Sequence, residues 1–173
     1  MLSYKDPDFP EERIRLSDKE YERALLAFPI VCADVVLIDA ERRAFYLADR
    51  IVHPVKGWWW IGGRIFRGED PLEAARRKLD QESAVVLDTT RFRYIKMLRH
   101  MMTVRQQEPQ NAGTDTIAYT YAAAVSVKEA NQVSIGLVHS EYRLGSLRSF
   151  TREELHAENI RPQIRDLYDL VFP

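Results

Sequence analysis

Glu82 is the side chain whose setting most invites chemistry. Asp70-Pro71-Leu72-Glu73 reads as a helix start, with Asp70 as N-cap, proline at the first helical position and a glutamate three residues after the cap. The helix is predicted to run to about Ser83. At ~100° per residue, Leu72, Ala75, Leu79 and Ser83 fall on one stripe that faces the core. Glu82 lies at the edge of that stripe, with Lys78 beside it and Gln81 further round. A carboxylate at a seam between helix and sheet must meet a cation or a metal. A salt bridge to Arg64 or Arg77 would make it structural; a metal would make it functional. Gly62-Gly63 precedes the helix by a short loop. The pair permits unusual backbone angles and close approach of another group, and taken alone it is equally an ordinary turn.

The spacing joins these features. Gly63, Glu69, Arg77, Leu79, Glu82 and Val85 stand in register with the pattern Gly-x5-Glu-x7-Arg-Glu-U-x-Glu-Glu-x-Gly-U, where U is bulky and aliphatic. This stretch resembles the signature of the Nudix family. Three positions depart from it: Lys78 and Gln81 stand where the family has glutamates, and Ala84 where it has glycine. In the family those glutamates hold divalent metal against a pyrophosphate, so their loss points away from the ordinary multi-metal pyrophosphohydrolase. Within the family, residues 23–172 resemble the GDP-mannose mannosyl hydrolases, whose box lacks the same two glutamates and keeps the one at Glu82. Gly62-Gly63-Arg64, Arg50 followed by Pro54 and the tryptophans, Gly113-Thr114-Asp115, His139 with Tyr142, and Asp34 match further elements of that branch.

The resemblance implies a Nudix-type α/β/α sandwich with a mixed β-sheet. It also implies hydrolysis of a nucleotide sugar by water attack at the anomeric carbon, releasing nucleoside diphosphate and free sugar. His139 would be the general base, a role that suits a side chain titrating near neutrality. Arg50, Arg64 and Arg77 would stabilise the departing diphosphate, because guanidinium groups grip phosphate oxygens bidentately and keep their charge. Asp34 and Tyr142 would contact substrate. One Mg²⁺, or Mn²⁺ in its place, would be held by Glu82 and the backbone carbonyl of Gly62. Val138 stands where the branch has a metal-binding glutamine, and the segment between His139 and Thr151 is longer than the branch's. Lys78 could approach a phosphate in place of metal charge, or pair with Glu82 and block the metal. His53, His100 and His156 match nothing. A conventional pyrophosphohydrolase and an inactive nucleotide-sugar-binding domain are the competing readings. Related enzymes pair, so a homodimer is expected.

The elements that must position these residues are mostly strands. Residues 1–16, charged and proline-bearing, form an N-terminal arm, and 17–173 one domain. Ser17 and Glu20 make a capping box for a helix that stops before Pro29. Residues 30–38 and 44–48 are predicted as a hairpin. The aromatic strand 58–61 should set Trp58 and Trp60 on one face and Trp59 on the other. Strands are expected at 85–87, 92–98 and 116–127, with a loop or sheet edge at 138–147. Thr151 and Glu154 form another capping box, and a last helix covers 162–171.

The bulk numbers suit one globular domain. In 173 residues, 46% are hydrophobic and 29% charged, with a net charge of −1, an ordinary globular balance. No basic excess points to nucleic acid or to a membrane surface. Neither a signal peptide nor a membrane span is visible, so a cytoplasmic setting is expected. Cys32 is the only cysteine, which excludes an internal disulfide and suggests a buried inert thiol.

Overall fold

The central strand shows why the chain folds as it does. In β1 (Ile30–Asp39) apolar residues run without interruption from Val35 to Ile38, the pattern of a strand covered on both faces. Val35 and Leu37 join one core cluster, and Val36 and Ile38 join another. The sheet therefore separates two apolar layers, each needing its own helices.

The computed structural model describes residues 4–10 and 13–173. The expected N-terminal arm lies partly outside these described residues. After α1 (Asp18–Ala27) come β1, β2 (Ala44–Arg50), β3 (Gly57–Trp59) and β4 (Ile61–Arg64). Then follow α2 (Pro71–Ser83), β5 (Phe92–Met102), β6 (Thr114–Ala124) and α3 (Val127–Gly136). The chain finishes with β7 (Arg148–Phe150), α4 (Arg152–Ala157) and α5 (Pro162–Val171). The seven-stranded sheet has the order β3-β2-β1-β6-β5, with β4 also paired to β1 and β7 to β2. β1 and β6 run parallel and the other pairs antiparallel. Leu79 of α2 and Val133 of α3 are buried on one face, and Leu155 of α4 with Ile164 and Leu167 of α5 on the other. This is a mixed α/β sandwich. No helix among the described residues is long and apolar enough to cross a membrane.

Helix starts follow the capping chemistry. Asp70 Oδ1 accepts from the Leu72 N–H at 2.8 Å, and Pro71 occupies the first turn. Such a cap contributes about 1 kcal/mol. Ala75, Leu79 and Ser83 are buried as the helical stripe requires, and Leu72 is half-buried. The Ser17–Glu20 and Thr151–Glu154 boxes both form.

Three expectations are corrected, and one strand is added. Residues 85–87 are not a strand. Ala84 ends α2 in the left-handed region, at φ 54°, and Leu87 enters the core without a strand partner. The strand predicted at 116–127 spans Thr114–Ala124, because Ser126 and Glu129 form a capping box that opens α3. β7, three residues long, pairs with β2 inside the region after the expected loop. The tryptophan run does not alternate. The chain changes partner at Trp60, from β2 to β1, so Trp59 and Trp60 both enter the same core, with ring centroids 4.2 Å apart.

Candidate active site

The register of β1 against β4 sets Asp34 opposite Gly62. A Cβ added at Gly62 would lie 2.1 Å from Asp34 Oδ1, so only glycine admits the carboxylate here. Asp34 is buried, and Trp60 Nε1 donates to its Oδ2 at 2.8 Å. Desolvation pushes the carboxyl up to about 7; the Trp60 bond opposes this and the nearby charge of Glu82 adds to it. A carboxylate raised into the neutral range at the wall of a cleft is a candidate for proton transfer or substrate binding.

That cleft has a volume of about 440 Å³, within the range of small-molecule sites. Asp34, Arg50, Gly62, Arg64 and Tyr142 all line it, so the fold brings together five of the residues singled out in the sequence. Arg50 donates to Glu141 at 3.2 Å, and it bridges to Tyr142 through the backbone. Cys32, half-buried, lies on the same wall, and desolvation pushes its thiol up to about 12, leaving it protonated and unreactive.

Glu82 is 3% exposed, at the seam where the helical periodicity puts it. Its cation is neither Arg64 nor Arg77. Lys78, one turn earlier on α2, places Nζ against Oε1, and the Tyr142 hydroxyl donates to Oε2. Burial raises the Glu82 carboxyl, with the Lys78 charge opposing it, and the Tyr142 phenol is held well above its usual range by the same desolvation. Arg77 is the strut between helix and loop. It grips Glu69 bidentately, at 2.6 Å and 2.8 Å, and donates to the Arg64 carbonyl at 3.0 Å. Its guanidinium also lies 4.2 Å from the Phe66 ring centroid. Arg64 stacks on Tyr21, 4.9 Å from the ring centroid.

His139 sits on an exposed turn and does not line the cleft, although the next three residues, Ser140, Glu141 and Tyr142, do. The Val138 N–H donates to the Glu82 carbonyl at 3.0 Å, which ties this turn to the end of α2.

Four charged or histidine lining residues were not read as site residues in the sequence: Glu141, His53, His100 and Arg105. Arg105 is 1% exposed and is held by the carbonyls of Gln107 and Glu108, at 3.2 Å and 2.9 Å. His53 Nδ1, His100 Nε2 and Arg105 Nη1 are buried without hydrogen-bond partners. His100 packs edge-on against Trp59, with centroids 5.6 Å apart, and burial lowers its pKa. These residues come from loops and an edge strand far apart in sequence, and no local spacing marks them.

A second pocket, of about 340 Å³, opens beside the first and shares Tyr21 and Arg64 with it. Arg15, Arg77, Lys78 and Gln81 contribute to its wall.

The resemblance puts a divalent cation on Glu82 and the Gly62 carbonyl. The donors do not suit one. Both Glu82 oxygens are engaged, position 78 offers an ammonium and position 81 a neutral amide. Among the described residues no three histidine, cysteine, aspartate or glutamate side chains converge as ligands.

Similarity to known proteins agrees with this frame. One structural relative is a MutT NUDIX hydrolase from Burkholderia pseudomallei, with a TM-score of 0.62 at 18% identity over 83% of this chain and 98% of that one. A MutT protein from Methanosarcina mazei Go1 gives 0.58 at 16% identity, covering 82% and 91%. An Ap4A hydrolase from C. elegans gives 0.53 at 12%, covering 83% and 96%. At these identities the likeness establishes the fold. No curated protein sequence matches the chain. The family model for the NUDIX domain matches residues 29–171, nearly the whole of the described sandwich, and the chain belongs to the Nudix hydrolase family.

Proposed function

We propose that the protein hydrolyses a nucleotide sugar, GDP-mannose or a relative, by water attack at the anomeric carbon, releasing nucleoside diphosphate and free sugar. Residues 17–173 would act as one domain in this. The observation that carries the reading is the pair of adjoining pockets joined at Arg64 and Tyr21. The larger is walled by aromatic, histidine and carboxylate side chains together with Arg50, Arg64 and Arg105, and the smaller mainly by the cations Arg15, Arg64, Arg77 and Lys78. A nucleoside diphosphate linked to a sugar has matching parts: a bulky neutral portion and a compact anionic one.

Substitution at carbon asks less of the box than attack at phosphorus does. The leaving diphosphate needs positive charge, which Arg50, Arg64 and Arg77 bring near the site, and the water needs a base. His139 is the proposed base, with Asp34 and Tyr142 on the substrate side. Nudix hydrolases generally use divalent metals such as Mg²⁺, and Mg²⁺, Mn²⁺ and EDTA arms belong in the same assay.

The test is incubation with GDP-mannose in ¹⁸O-water, read by phosphorus NMR and mass spectrometry. GDP and free mannose carrying the ¹⁸O are expected. GMP with mannose phosphate would identify a pyrophosphohydrolase instead. Binding without turnover would identify an inactive domain.

The proposed assembly is a homodimer. Tyr94, Met97 and Met101 of the edge strand β5 are exposed, at 51%, 52% and 72%, and would be covered by a second copy. Light scattering at micromolar concentration is expected to give twice the chain mass, and a monomer would remove this assignment.

A further inference from the structure

We propose that the Lys78 ammonium takes the place of the divalent cation in this protein, so that the basic pocket binds a diphosphate with no metal present. The inference rests on the reading of the site as one that handles a nucleoside diphosphate. It begins from a disagreement between the family's chemistry and this chain's side chains.

Lys78 lies over the glycine pair. A Cβ added at Gly63 would lie 2.7 Å from Lys78 Cε and 3.2 Å from Nζ, so the bare backbone of Gly63 is what admits the chain. Nζ meets Glu82 Oε1, and only 17% of the Lys78 side chain is exposed. A Mg²⁺ ion at Glu82 would have to displace this ammonium and then sit beside a like charge. Neither Gln81 nor Val138 offers a carboxylate to offset that cost.

The surrounding charge fits an anion. The pocket wall carries four cations, Arg15, Arg64, Arg77 and Lys78, against one carboxylate, Asp18. Arg77 is tied to Glu69 and Lys78 to Glu82. Arg64 and Arg15 have no carboxylate partner among the described residues. Arg64 is oriented instead by the Tyr21 and Phe66 rings, at 4.9 Å and 5.7 Å from their centroids, which leaves its charge available. Guanidinium and ammonium groups together can then do electrostatically what a metal does in an acidic box. Gln81 suits the arrangement because it adds no negative charge. Glu82 is then the counter-ion that fixes Lys78 rather than a metal ligand.

The test measures binding alone. Inorganic pyrophosphate is titrated into the full chain in EDTA by calorimetry, and Mn²⁺ is titrated into the metal-free protein by electron paramagnetic resonance. Pyrophosphate is expected to bind in EDTA, and no site occupancy by Mn²⁺ is expected at micromolar concentrations. Lys78→Gln should weaken pyrophosphate by about tenfold or more, as loss of one charge-assisted bond implies. Arg15→Ala, at an exposed position on the pocket wall, should weaken it in the same direction and guards against a folding defect in the first variant. Pyrophosphate binding that requires Mg²⁺ or Mn²⁺ overturns the proposal, as does stoichiometric Mn²⁺ binding lost in Glu82→Gln. Pyrophosphate has no glycosidic bond. A failure here therefore leaves the choice of scissile bond untouched, and failure of the product assay leaves this result standing.

Discussion

Replacing His139 with alanine is expected to lower turnover of the nucleotide sugar by about 10²–10⁴-fold, the usual worth of a general base, with little change in substrate affinity. Single-turnover kinetics alongside calorimetric binding would separate the two. The turn that carries His139 is anchored, since Val138 bonds to the last turn of α2 and the Glu141 and Tyr142 N–H groups return to the Val138 carbonyl, each at 3.0 Å. The next residue along the turn, Ser140, lines the cleft, while His139 itself is exposed outside it. Unchanged turnover in the alanine variant would sink the role. Water activation would then fall to the carboxylates that already line the cleft, Asp34 and Glu141.

The parts of the site that were legible in the sequence are those fixed within a few residues of one another. Asp70 and Pro71 announce α2, and its 3.6-residue repeat puts Glu82 at the helix–sheet seam, where it is 3% exposed. The spacing from Gly63 to Val85 reads out the Nudix frame that the family model then matches across residues 29–171. The partner of Glu82 was not legible. Lys78, Arg64 and Arg77 were all within reach, and the choice depends on Glu69. That carboxylate takes Arg77 into its bidentate grip and leaves the ammonium for Glu82. The far wall of the cleft was equally hidden. Arg105 is brought there by the loop between β5 and β6, and His53 by the loop after β2, with a Gln106 side chain accepting the His53 N–H at 3.2 Å. Contacts of that kind are set by tertiary closure, which no periodicity records. α3 is a different case. Its Ser126–Glu129 box is local and readable, but the apolar run before it reads as a continuing strand.

Asp34→Asn is expected to make the protein more stable and less active. Its carboxyl is pushed up to about 7 from an ordinary 3.8, chiefly by desolvation, so between these values the native state holds a proton that the unfolded chain releases. Stability therefore falls as pH rises through that window and levels off above it. The full difference amounts to roughly 4 kcal/mol. Asparagine is neutral throughout and keeps an oxygen to accept the Trp60 Nε1 bond. In urea unfolding at pH 8 the variant should gain up to that amount, and near pH 4 the two proteins should converge. Destabilisation of the variant at pH 8 would mean that Arg50 and Lys78 stabilise the ionised carboxylate more than burial opposes it. The activity loss has the same origin. A functional demand for a carboxyl in this cleft would account for a group that burial disfavours, and a stabilised but slower variant would be the signature of that demand.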